Sequence, residues 1–165
     1  MKTLLKLVFS VSILSLFLGA CAGRKINAEL LNEEMNWVYT HPKAACFDAT
    51  VAALKDNGVG VKSASKETGI IQTERVVYAT GAVGNAYGAQ VITAEHQMSL
   101  KISGNSKNCS VVGTRYQVWQ NRVPSEEIMV PYFRNSVWTP LRTSIQQNLD
   151  DGPATGASAG KKLDI

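Results

Sequence analysis

The residue types in this chain that could do chemistry are few, and their spacing decides what chemistry is open to them. Three glycines punctuate the stretch from Tyr78 to Gln90 (YATGAVGNAYGAQ), at Gly81, Gly84 and Gly88. A glycine loop that cradles phosphate needs a strand before it and a helix after it, so that backbone N–H groups and a helix N-terminus face the anion. Here strand-like runs flank both sides, no Lys followed by Ser or Thr closes the loop, and the spacing is GxxGxxxG rather than GxGxxG. No cofactor site is expected. The two histidines, His41 before Pro42 and His96 at the start of a β-rich run, have no partner at ligand spacing. They read as a cap and a partly buried strand residue. No CxxC, HxxxH or GxSxG occurs, so neither a metal nor a serine nucleophile is indicated. The carboxylate pairs Glu33-Glu34, Glu126-Glu127 and Asp150-Asp151 all flank predicted elements and read as solvated charge, or for Glu126-Glu127 as negative charge at a helix N-terminus. Cys46 has His41 near it in sequence, but a helix-interior cysteine with a candidate disulfide partner reads as structural. No catalytic residue is expected, and the chain is read as a non-enzyme.

The third cysteine, Cys21, has a different context. The chain opens MKTLLKLVFSVSILSLFLGAC, with Lys2 and Lys6 before an apolar run from Leu7 to Leu18 and a small-residue cleavage site. This is a secretory signal, too short to span a membrane as a helix. Its Leu-Gly-Ala-Cys ending resembles the lipobox of bacterial lipoproteins, whose signal peptidase cuts before a cysteine already carrying diacylglycerol. The resemblance implies a mature protein starting at an acylated Cys21, held by chains worth about 0.8 kcal/mol per buried CH2. The next residue is Ala22 rather than Asp, which in such lipoproteins goes with passage to the outer membrane, facing the periplasm. Losing twenty residues, two of them lysine, from 165 with a net charge of +4 leaves 145 with +2. The pI of about 9.0 is therefore partly the signal's, and no basic patch interleaved with aromatics points to nucleic acid. Cys46 and Cys109 remain, an even pair in an oxidising compartment, and a disulfide between them is expected.

These residues must be positioned by elements read from periodicity. Residues 1–20 are the signal, 21–35 a lipidated tether with at most a turn of helix, 36–150 one folded domain and 151–165 a disordered Gly/Ala/Ser tail. From Pro42, Cys46, Ala49 and Ala53 with Phe47, Val51 and Leu54 repeat at helical spacing until Asn57-Gly58 stops them. The period then becomes two. A first strand around Val59–Ser63 and a second over Ile70–Val77 form a hairpin about Thr68-Gly69, and a third strand, Val91–Ser103, alternates Met98, Leu100 and Ile102 with polar residues. The glycine stretch falls between the second and third strands and reads as a long mobile hairpin loop. Tyr78, Val83 and Tyr87 place apolar surface on it, as docking or lipid-contact loops do. A fourth strand, Cys109–Gln120, is expected to put Val112, Thr114, Tyr116 and Val118 on one face and Val111, Arg115, Gln117 and Trp119 on the other. A final helical stripe, Phe133, Val137, Leu141, Ile145 and Leu149, contains Pro140, which predicts one kinked helix or two in line. The expected fold is α+β, a four-stranded antiparallel sheet on a C-terminal helix in the order α-β-β-β-β-α.

The segment CFDATVAALKDNGVGVKSASKETGIIQT, with Leu54 and Gly58 closing a helix and Glu67, Gly69, Ile71 and Thr73 opening an alternating strand, is similar to the domains of the BamC lipoproteins of the outer-membrane β-barrel assembly machinery. That resemblance implies a helix-grip fold and carries no catalytic or binding positions. Together these readings give a lipid-anchored protein-interaction or structural module in an outer-membrane assembly or secretion complex, with an envelope protein as partner. Its contact surfaces are the glycine stretch and the sheet face of Arg115, Gln117 and Trp119. The alternative is a periplasmic binding module for a lipid or other hydrophobic ligand, held in a cavity between sheet and helix.

Overall fold

A computed structural model describes residues 23–85 and 88–152, without the side chains of 81–91. Cys21, the signal and the tail beyond Gly152 lie outside the described residues, as does Tyr87. The elements in chain order are β1 (Arg24–Lys25), α1 (Ala28–Glu34), β2 (Asn36–Tyr39), α2 (Lys43–Asp56), β3 (Val61–Ser65), β4 (Ile70–Thr73), β5 (Val76–Asn85), β6 (Gly88–Gly104), β7 (Cys109–Gln120), β8 (Val123–Ser125), β9 (Glu127–Ile128), α3 (Val130–Phe133), a π-helical turn (Arg134–Trp138) and α4 (Thr139–Asp150).

The architecture is α+β with an antiparallel sheet and a C-terminal helix, but the main sheet has seven strands rather than four. Its order is β2-β7-β6-β4-β3, with β5 also on β6 and β8 also on β7; β1 and β9 form a separate pair. The extra strands are short or disguised. β2 is four residues buried at alternate positions, Trp37 and Tyr39, and it pairs with the start of β7 just before a helical pattern takes over. β8 returns from β7 through Asn121 and Arg122, at φ 49° and 69°. These are the left-handed positions of a two-residue hairpin turn that sequences usually mark with glycine.

The core lies between the inner sheet face and the helices. β6 contributes His96, Met98, Leu100 and Ile102, alternating as expected. Leu30, Leu31 and Met35 are fully or nearly fully buried in the same core, so packing begins with α1, inside the stretch read as a tether. Asn27 Oδ1 caps α1 by accepting from Leu30 N at 2.9 Å. Gly113 is buried against Met35, where a Cβ would approach the Met35 side chain to 2.9 Å, so only glycine lets α1 sit this close to β7.

The expected parity of β7 is corrected by one residue. Leu100 pairs with Gly113 but Ser99 with Arg115, so Thr114 is an extra residue in a β-bulge. Because side chains alternate, the bulge exchanges the faces along the strand. Cys109, Val111 and Gly113 face inward before it, and Tyr116 and Val118 after it.

The C-terminal helical segment is continuous, with a π-turn before Pro140. Thr139 N–H donates to the Arg134 carbonyl five residues back, and Pro140 has no N–H to give to Ser136. The added residue moves the buried stripe from the expected Val137 to Trp138: Phe133, Trp138, Leu141, Ile145 and Leu149 are buried, and Val137 only partly. The expected disulfide is present. It joins Cys46 on α2 to Cys109 at the start of β7, with Cα atoms 6.5 Å apart.

Candidate functional site

Three regions gather the polar and aromatic side chains that could recognise something. The first is the outer sheet face. After the bulge, Arg115, Gln117 and Trp119 stand together on the side away from the core, as the sequence grouped them. Arg115 Nη2 donates to Gln117 Oε1 at 3.1 Å. The Arg75 guanidinium lies 4.2 Å over the Trp119 ring and ion-pairs with Glu95 across the β5–β6 ladder. A shallow cleft of about 140 Å³ beside them is lined by Lys62, Gln72, Gln97, Ser99, Arg115 and Gln117. Sequence reasoning missed Arg75; its signal was its position one residue before β5, diagonal to Glu95, whose ladder partner is Val77.

The second region is the glycine stretch, which is not a loop. β5 and β6 pair from Val76↔His96 to Asn85↔Gly88, through Gly81↔Ile92 and Gly84↔Ala89, so the glycines are ladder members, each facing a residue with a side chain or the turn. Backbone hydrogen bonds do not need side chains, which is why residues read as breakers continue the strands. Val83 lies in β5, with its side chain outside the described residues. The ribbon outruns the sheet. The pairing of β6 with β7 ends at Ala94, and Asn121 then takes Thr93: Thr93 N donates to Asn121 Oδ1 at 2.9 Å and Asn121 N to the Thr93 carbonyl at 2.8 Å. Beyond that point, among the described residues, two strands stand with both outer edges unpaired. The nineteen residues from Val76 to Ala94 contain no charge and no proline.

The third region is an aromatic cluster at the ribbon's base. Tyr78 turns inward, half-buried. Its ring meets His96 edge-on at 5.5 Å, Phe133 at 4.8 Å and Tyr132 at 5.9 Å. His96, 3% exposed, shares a 2.9 Å hydrogen bond between Nδ1 and the Tyr116 hydroxyl. Burial pushes the imidazole pKa down to about 4, so the ring is neutral, and burial raises Tyr116 well above the ordinary phenol range. Trp138 packs edge-on against Tyr116 at 5.4 Å, and its Nε1 is sealed from solvent with no acceptor in hydrogen-bond geometry. Between this cluster and the π-turn opens a cleft of about 170 Å³, walled by Val59, Val76, Tyr78, His96, Met98 and Val137. The sequence placed both His96 and Tyr116 on core-facing positions but not their pairing, because which β7 residue stands beside His96 depends on the β6–β7 register.

A further groove of about 210 Å³ is polar, with Glu33, Glu34, Arg134 and Arg142 on its walls. Glu34, whose side chain is 7% exposed, accepts from Arg134 Nε at 2.8 Å. That hydrogen bond holds its carboxyl below the usual range. The groups are matched to one another, which leaves little charge for a ligand. His41 Nε2 stands 4.0 Å from Asp150 Oδ1, while Cys46 is committed to its disulfide. Among the described residues no three metal-ligating side chains gather, and no helix is long and apolar enough to cross a membrane.

No protein family matches this chain, and no curated protein does. Among solved structures it is similar to a DUF4468 family protein from Bacteroides ovatus, at 13% identity over 71% of this chain and 79% of that one, with a TM-score of 0.34.

Proposed function

We propose that this protein is a lipid-anchored interaction module of the bacterial envelope, held by an acylated Cys21 at the periplasmic face of the outer membrane and docking a protein of an assembly or secretion complex. The carrying observation is the β5–β6 ribbon, which outruns the sheet with unpaired edges and no charge or proline over nineteen residues. Natural edges are normally blunted by just those residues, and a lone two-stranded ribbon is marginal in water. An added strand from a partner would satisfy both conditions by main-chain hydrogen bonding, with side-chain pockets setting specificity. The Arg75–Trp119 stack, Arg115 and Gln117 stand on the sheet behind the ribbon's base and supply a polar, aromatic second surface. In this reading the sheet on α4 is helix-grip-like and the likeness to BamC domains is one of architecture; the chain acts by binding rather than catalysis.

The test is a pull-down of the lipidated protein from its own membranes with Trp119→Ala and with residues 81–88 deleted. Each change is expected to reduce a stoichiometric envelope partner, and the two together to remove it. Full recovery of every partner by both variants would refute the surface assignment.

A second reading is a binding module for a hydrophobic ligand, favoured by the uncharged cleft at His96.

A further inference from the structure

The cleft at the ribbon's base differs from the other two in its chemistry. Its walls come from the end of α2 (Asn57, and Val59 just beyond), from β5 and β6, and from the π-turn and α4 (Ser136, Val137, Leu141), and no charged side chain lines it. The other clefts carry Lys62 and Arg115, or two glutamates and two arginines. Its volume of about 170 Å³ is that of a single ring: an apolar cavity of about 150 Å³ holds one benzene. Val137, displaced from the buried stripe by the π-turn, lines this opening, and such turns inside helices are often found where something binds.

His96 gives the cleft its one deeply buried polar anchor. Its Nδ1 is held by Tyr116, which is not a wall of the cleft, whereas His96 is one. Nε2 makes no hydrogen bond among the described residues. His96 itself lines the cleft. A neutral imidazole with one nitrogen committed leaves the other to donate or accept once, to a neutral group. A charged ligand would lose its hydration against apolar walls with no counter-charge.

We infer that this cleft is a binding site for an uncharged, ring-sized hydrophobic group bearing one hydroxyl, a phenol in its simplest form, with the ring between Tyr78, Met98 and Val137 and the hydroxyl on His96 Nε2. This rests on the hydrophobic-ligand reading and is independent of the ribbon.

The chain has two histidines, so 13C-histidine labelling gives two ring signals, and half-buried His41 serves as the internal control. Phenol, benzene and benzoate would each be titrated into the full chain. Phenol is expected to shift the His96 ring signal saturably and leave His41 unmoved, to bind about fivefold tighter than benzene, the worth of one neutral hydrogen bond, and to be abolished by Val137→Trp. Benzoate is expected not to bind. Benzene binding as tightly as phenol would overturn the hydroxyl anchor while keeping the hydrophobic-ligand reading. No saturable shift with any of the three, or an undiminished shift in Val137→Trp with native His signals, would overturn the site and that reading together.

Discussion

His96 and Gly69 show how single positions set the protein's response to conditions. An unfolded histidine takes up a proton near pH 6.5, but buried His96 resists until about pH 4. Between those values the unfolded state binds the extra proton, so stability is fully present above pH 6.5 and falls as the pH drops toward 4. The loss is about 3 kcal/mol across the window, and chemical denaturation at stepped pH should show it, with His96→Gln flattening the slope even though it lowers stability overall. Acid also protonates Glu34, held low by Arg134, which adds a loss at the bottom of the range. Gly69 has φ +72°, and a Cβ there would sit 2.1 Å from the Ile102 carbonyl oxygen. Its own carbonyl accepts from Ile102 N at 2.7 Å, fixing the β3–β4 turn on β6. Gly69→Ala is expected to cost at least about 2 kcal/mol, read as a lower urea midpoint at unchanged m-value.

At the scale of elements, the disulfide ties α2 to the first residue of β7 across a sequence separation of 63. Replacing both Cys46 and Cys109 by serine should destabilise by about 4 kcal/mol, from the chain-entropy cost of freeing a loop of that length. The cysteine pair, the α2 stripe, the β6 alternation and the C-terminal stripe were legible because each is a long run with one period. What was hidden involved a single inserted residue or a very short run. The Thr114 bulge splits β7 into two phases, so a uniform alternation misplaced Val111 and Val112 while grouping Arg115, Gln117 and Trp119 correctly. The π-turn did the same to a helix, trading Val137 for Trp138. β2 and β8 are too short to show a period, and the Asn121-Arg122 turn lacks a glycine to announce it. Deleting Thr114 should regularise the ladder, leaving Gly113 inward and Arg115, Gln117 and Trp119 outward, so cooperative thermal unfolding by circular dichroism is expected to be retained.

For the whole molecule, among the described residues, the sheet extends one two-stranded ribbon beyond its other pairings. α1, α2 and the C-terminal helices cover the inner sheet face, whereas the β5–β6 ribbon continues beyond it with free backbone donors and acceptors. The glycines of YATGAVGNAYGAQ announced a connection between two strands but not its ladder, because main-chain pairing leaves no side-chain period. That Tyr78 faces inward was equally unreadable, since its partners Tyr132 and Phe133 arrive from the other end of the chain. The interaction-module account is tested most directly by a photo-crosslinkable residue at Thr80, on the exposed side of β5, in lipidated protein crosslinked in its own membranes and resolved by mass spectrometry. The account predicts one dominant envelope protein joined to Thr80, reduced several-fold by Trp119→Ala. Crosslinks to lipid alone, with no protein product, would contradict it.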